Sequence, residues 1–168
     1  AAVRSISRKL ADHVTVVDEP IRALTGEEDS PLFAEIALAS RSGERLVGVD
    51  DAVAPFLIDG AVYGLDTADG RLLWRRYVGI ESARLQRVGG GDGDVLVLDS
   101  RTWELLRLGA GDGAAVWRLP IGEPFDFRLD GATIYVSVPS GRLLIADAGS
   151  GNCSRQIRFP QQLAHAPA

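Results

Sequence analysis

Eleven residues in the middle of this chain, Gly64-Leu65-Asp66-Thr67-Ala68-Asp69-Gly70-Arg71-Leu72-Leu73-Trp74, return in eroded form about every forty positions. Recurrence at such a period marks an array of supersecondary modules, each unable to bury its apolar face alone. The next copy runs from Arg107 to Trp117, so Gly113 and Trp117 return together, 43 positions after Gly70 and Trp74. A third copy, Ile145 to Arg155, keeps Asp147 and Gly151 and has arginine at the tryptophan position. Upstream, Ala23 to Phe33 fits the same frame with Thr25 for the aspartate, Asp29 for the glycine and Phe33 for the tryptophan.

Between these anchors the pattern is strand, turn, strand. Short runs rich in valine, isoleucine and tyrosine occur at 14–17, 45–49, 61–65, 94–98, 105–108, 133–138 and 143–146, as β-strands require. The runs are bounded by Asp59-Gly60, Asp69-Gly70, Asp92-Gly93, Asp112-Gly113, Asp130-Gly131 and Ser140-Gly141, pairs in which glycine takes a positive φ without steric cost. Grouping the strands by the repeat predicts an all-β chain of four-stranded antiparallel units near 2–39, 40–79, 80–121 and 122–160, with a tail at 161–168. Four-stranded units repeated radially are the β-propeller solution to exposed sheet edges. About four blades are therefore expected, as a small ring or part of a larger one.

Glycine makes up 19 of 168 residues and sits at turns, which favours folded all-β structure over a linker. No apolar run approaches the ~20 residues of a membrane helix. The net charge is −5, and the arginines are scattered along many strands without forming a basic stripe, which argues against nucleic acid as a partner. One lysine against seventeen arginines, with no methionine, reads as a GC-rich bacterial coding bias. The single cysteine, Cys153, aligns with Leu72 and Ala115 and is expected to be a buried apolar residue.

The pattern Ala-x-Asp-x-x-x-Gly-x-x-x-Trp resembles the tryptophan-docking motif of the quinoprotein (PQQ-like) β-propeller family, and Gly64 to Trp74 matches it at all but the first position. The resemblance implies docking roles for Asp66, Gly70, Trp74, Gly113, Trp117, Asp147, Gly151 and, through register alone, Phe33. In that family the tryptophan lies on the outer strand of one blade and packs on the neighbouring blade, while aspartate and glycine shape the preceding turn. The family includes PQQ-dependent dehydrogenases, whose eight-bladed rings hold quinone and calcium, typically beside a vicinal disulfide. One cysteine cannot form that pair, and no Glu/Asn/Asp calcium set can be matched to the family's positions. No cofactor, metal site or catalytic residue is therefore expected.

Other constellations are weaker. Gly89-Gly90-Gly91-Asp92-Gly93-Asp94-Val95-Leu96-Val97 approaches a nonapeptide calcium repeat, but it occurs once, and that motif works by stacking; a glycine-rich hairpin is the simpler reading. His13 and His165 have no zinc spacing, Gly109 to Gly113 lacks the order of a dinucleotide loop, and Asp50-Asp51 and Glu27-Glu28 read as solvated pairs. Arg75 and Arg76 flank Trp74 on an outer strand and are expected to face solvent, the alternative being that one of them faces a partner.

The resemblance points to non-catalytic envelope scaffolds of the outer-membrane assembly type: a protein-binding platform, extracytoplasmic, with unknown protein partners. The alternative is a fragment of a PQQ-dependent dehydrogenase whose ligands lie elsewhere. The chain does not start with methionine, and the expectation is a segment of a longer ring that in isolation forms a homodimer through its end blades.

Overall fold

The computed structural model describes residues 15–17, 21–25, 53–89 and 93–162. Among them are thirteen strands: β1 (Thr15–Val17), β2 (Leu24–Thr25), β3 (Val53–Ile58), β4 (Ala61–Asp66), β5 (Leu72–Tyr77), β6 (Leu85–Arg87), β7 (Val95–Asp99), β8 (Glu104–Leu108), β9 (Ala115–Pro120), β10 (Asp126–Asp130), β11 (Thr133–Val138), β12 (Arg142–Asp147) and β13 (Cys153–Arg158). The described residues contain no helix, and so none that could cross a membrane. The chain divides into two compact units, Ala23–Gly122 and Ala1–Arg22 with Glu123–Ala168.

In the first unit, β3, β4 and β5 form a three-stranded antiparallel meander, and β6 to β9 form a four-stranded one. In the second, β10 to β13 form another four-stranded meander. The sequence spacing dictates this order, because consecutive strands joined by tight turns pair with their neighbours. Gly60, Gly70, Gly93, Gly113, Gly131 and Gly141, the six turn glycines read from the sequence, all take positive φ, from 57° to 92°.

Both four-stranded sheets carry a fifth strand. The outer strand β13 pairs with β1, and the outer strand β9 pairs with β2, both antiparallel. An isolated bridge joins Ile21 to Cys153, whose amide donates to the Ile21 carbonyl at 2.7 Å. These N-terminal segments cover edges that would otherwise present unpaired backbone groups. The expected first blade at 2–39 thus falls largely outside the described residues. Its two described pieces lie along the edges of other sheets and do not pair with each other.

The cores follow the two-residue period of the strands. In the first unit Val62, Trp74 and Val78 pack with Val95, Val97, Leu106, Leu108 and Ala115, joining the β3–β5 sheet to the β6–β9 sheet. In the second, Phe127, Ile134, Val136, Leu144, Ala146 and Cys153 are buried on one face of their sheet. Cys153 is fully buried, as expected from its alignment, and burial raises its thiol pKa above the ordinary 9.0.

Candidate functional site

The three connections that carry the repeat share one geometry. The amide of the first loop residue donates to a carbonyl five residues on, and the glycine amide donates back to the first residue's carbonyl. The distances are Asp66 to Arg71 2.8 Å and Gly70 to Asp66 2.8 Å; Gly109 to Ala114 2.9 Å and Gly113 to Gly109 2.9 Å; Asp147 to Asn152 3.0 Å and Gly151 to Asp147 2.7 Å. The aspartates tie the loop from within, since Asp66 Oδ1 accepts from the Ala68 amide and Asp147 Oδ1 from the Ser150 amide, each at 2.8 Å. The residue before the glycine caps the exit: Asp69 accepts from the Arg71 amide and Asp112 from the Ala114 amide, both at 2.9 Å. In the Gly109 loop only this second cap is present, Gly109 standing where the other two described loops have aspartate.

A register shift falls at the same place in each sheet, between Gly64 and Leu65, Arg107 and Leu108, and Ile145 and Ala146. A bulge adds one residue to one strand and re-aims its side chains. Here it sets Leu65 opposite Leu72, Leu108 opposite Ala115 and Ala146 opposite Cys153, and it sets Gly64 opposite Trp74.

Trp74 joins two sheets. Its indole Nε1 donates to the Ala110 carbonyl at 2.7 Å. A Cβ built on Gly113 would stand 2.4 Å from Trp74 Cε3, and one built on Gly64 would stand 2.2 Å from Cε2. The indole fills space that two side-chain-free residues leave open. Trp117 is buried opposite Arg107, Asp66, Gly70, Asp147 and Gly151 lie in the loops just described, and Phe33 lies outside the described residues.

Two charged residues depart from expectation. Arg76 is buried, and its guanidinium NH1 donates to the Gly113 carbonyl at 3.3 Å. Arg75 is half-buried with its guanidinium 5.6 Å from the Tyr63 ring centroid, a cation–π arrangement. Full solvent exposure was the wrong expectation for both: the Arg76 guanidinium reaches a carbonyl across the sheet contact, and that of Arg75 lies by the ring of Tyr63, its cross-strand neighbour in the same sheet.

At the Gly89 to Val97 run, Gly90, Gly91 and Asp92 lie outside the described residues. The Val88 amide donates to the Asp94 carbonyl at 2.8 Å, closing the β6–β7 hairpin. The Asp94 carboxylate accepts from Arg107 Nε at 2.8 Å and from the Ala110 amide at 3.1 Å, so it braces the residue whose carbonyl receives Trp74. Among the described residues no three His, Cys, Asp or Glu side chains converge to hold a metal ion.

A second cluster occupies one rim of the first unit. Residue 103 of the β7–β8 turn takes φ 54°, and the corresponding turn residues of the other sheets are Gly60 at 73° and Gly141 at 92°. All three carbonyls receive the amide that ends the outer strand: Val78 to Gly60 at 2.7 Å, Ile121 to Trp103 at 3.0 Å, and Phe159 to Gly141 at 2.8 Å. Trp103 thus stands where the repeat otherwise uses glycine. Beside it, Arg101 makes a two-point ion pair with Asp99, Nε to Oδ1 at 2.9 Å and NH2 to Oδ2 at 2.6 Å, and its guanidinium lies 5.6 Å from the Tyr77 ring centroid. Tyr77 and Ile80 are exposed, Ile80 at 70%. The sequence pattern missed this rim because Trp103 obeys no strand period and Ile80 lies in a connection.

Antiparallel three- and four-stranded meanders repeated in register, with an outer-strand tryptophan reaching from the β3–β5 sheet to the β6–β9 sheet, define an all-β protein of the β-propeller class. No family model and no curated protein matches the chain. Among solved structures, the crystal structure of BamB from Moraxella catarrhalis is similar at a TM-score of 0.47 and 22% identity, over 70% of this chain and 37% of that one. The chain thus spans well under half of that neighbour's length. The fold assignment rests on the strand order and register.

Proposed function

We propose that this protein is a non-catalytic β-propeller segment that serves as a protein-binding or assembly platform, and that the Tyr77, Ile80, Arg101 and Trp103 rim is its contact surface. The observation that carries this reading is Trp103. A left-handed backbone costs a side-chain-bearing residue roughly 1–2 kcal/mol, and the same turn position is glycine in the other two sheets. Trp103 is half-buried, and strain held at a position that still reaches solvent is a reason to look for a role there. The residue types agree, since tryptophan, tyrosine and arginine dominate binding hot spots. Arg101 is already neutralised by Asp99 and oriented by Tyr77, so a partner need supply no countercharge. The chemistry that fits is an apolar side chain presented on a loop or extended peptide.

An extracytoplasmic location in the cell envelope accompanies this reading through the family resemblance. The test is photocrosslinking in the native host from an aryl ketone placed at Ile80, with a control at exposed Ser154. A discrete protein adduct at Ile80 that disappears on Trp103→Gly supports the reading. Equal labelling at both positions, or retention of PQQ with calcium accompanied by alcohol-dependent dye reduction, would overturn it.

A further inference from the structure

The three sheets share one frame, so their faces can be compared position by position. On the β6–β9 sheet, Val95, Val97, Leu106, Leu108 and Ala115 lie on one face and are covered by the β3–β5 sheet, with Trp74 reaching over the Gly109 to Gly113 loop. On the β10–β13 sheet the same positions are Ile134, Val136, Leu144, Ala146 and Cys153, each at most 2% exposed. On the β3–β5 sheet they are Ala54, Phe56, Tyr63, Leu65 and Leu72. Here Ala54 is buried, but Phe56 is 38% exposed and the other three are only half-buried. Ile58 and Tyr77, farther along the same face, are 55% and 40% exposed.

This face ends at the Asp66 to Gly70 loop, whose counterpart receives Trp74. The two loops share their hydrogen bonds, and Gly70 and Gly113 have φ 71° and 70°. They differ in charge: the counterpart carries only Asp112, whereas this loop carries Asp66 and Asp69. The frame therefore shows what covers such a face, a sheet with a planar N–H donor at the Trp74 position. The charge shows which donor suits this one. Arg155 holds that position on the β10–β13 sheet and is exposed. It heads a face on which Tyr135, Leu143, Ile145 and Ile157 are half-buried. Among the described residues its guanidinium has no acidic partner.

We propose that a second copy of this chain covers the face. The Arg155-bearing face of one copy's β10–β13 sheet stacks on the Phe56 and Tyr63 face of the other's β3–β5 sheet, and the guanidinium sits on the Asp66 and Asp69 loop in place of an indole. The contact joins two different faces, and in a two-fold dimer it is made twice. Apolar burial provides association, and the charge pair sets register.

The test is sedimentation equilibrium across the micromolar range on the whole chain and on Arg155→Glu, Asp69→Arg and the doubly reversed variant, with far-UV circular dichroism confirming that each folds. The wild type is expected to rise from 17.9 kDa to twice that mass. Each single reversal should weaken association by about tenfold or more, and the double reversal should restore most of it. A mass that stays at 17.9 kDa at every concentration overturns the proposal, as do single reversals without effect or a double reversal that does not recover.

Discussion

Trp74 and Gly113 are fitted to each other: the indole stands where any side chain at residue 113 would have to go, with Cε3 only 2.4 Å from the site of a Cβ. The same glycine has φ 70°, and its carbonyl accepts from Arg76. One residue therefore supplies a turn, a cradle and an acceptor. Gly113→Ala should cost about 2–5 kcal/mol, combining a left-handed backbone penalty with overpacking. Urea titration followed by far-UV circular dichroism measures it, and a loss under about 1 kcal/mol would show that the contact is loose.

Trp74→Ala removes the other partner. A fully packed tryptophan truncated to alanine costs roughly 3–5 kcal/mol, and here the Ala110 carbonyl also loses its donor. Trp74→Phe keeps part of the burial and should cost about half as much. In the Trp74→Ala background, Gly113→Ala should cost only the backbone part, about 1–2 kcal/mol. Additive costs in that double-mutant cycle would separate the two residues.

Asp94 supports the same contact from behind. Its carboxylate holds Arg107 at 2.8 Å and the Ala110 amide at 3.1 Å, with both side chains largely buried. Asp94→Ala leaves a buried guanidinium without its carboxylate and should cost about 3 kcal/mol. Asp94→Asn, which can still accept from Ala110, should cost less. Because the carboxylate is already committed, millimolar calcium should leave the thermal midpoint of the wild type unchanged, and a calcium-dependent rise would revive a metal role for this loop.

How far the sequence reaches can be judged from such residues. Across the described residues the strands and turns were legible because strand period, turn glycines and repeat spacing are local signals. Thus Gly60 and Gly141 take the expected positive φ, and Cys153 is buried where its alignment with Leu72 and Ala115 places it. Pairing between distant segments was not legible. The addition of β1 to β13 and of β2 to β9 spans more than ninety residues each, and nothing in a strand of two or three residues names its partner. The rim escaped for a different reason. Tryptophan in a glycine's turn position contradicts local propensity: the 43-residue step aligns Trp103 with Gly60, but only the backbone reveals that both take positive φ.

That equivalence makes Trp103 testable apart from any partner. Trp103→Gly should remove roughly 1–2 kcal/mol of backbone strain while losing the half-buried ring, leaving stability within about 1 kcal/mol of wild type. Gly60→Ala at the matching turn should instead cost more than about 2 kcal/mol, because its Cβ would stand 2.5 Å from the Gly79 carbonyl oxygen at φ 73°. Thermal unfolding of the two variants side by side checks the contrast.

Cys153 supplies a pH signature. Burial raises its pKa above the ordinary 9.0, the opposing hydrogen bonds to Arg155 and Ile145 being weaker. The folded state therefore keeps the proton at pH values where the unfolded thiol has lost it. Below the unfolded pKa both states are protonated and the contribution to stability is complete. As pH rises above about 9 the unfolded state binds fewer protons, and stability falls until the folded thiol also ionises. Cys153→Ala should flatten this decline while costing about 1 kcal/mol at neutral pH. In the native protein the thiol should react with an aromatic disulfide reagent only as fast as the chain opens. Urea titrations from pH 7 to pH 10.5 on both proteins measure the slope, and identical slopes would show that other groups carry the alkaline loss.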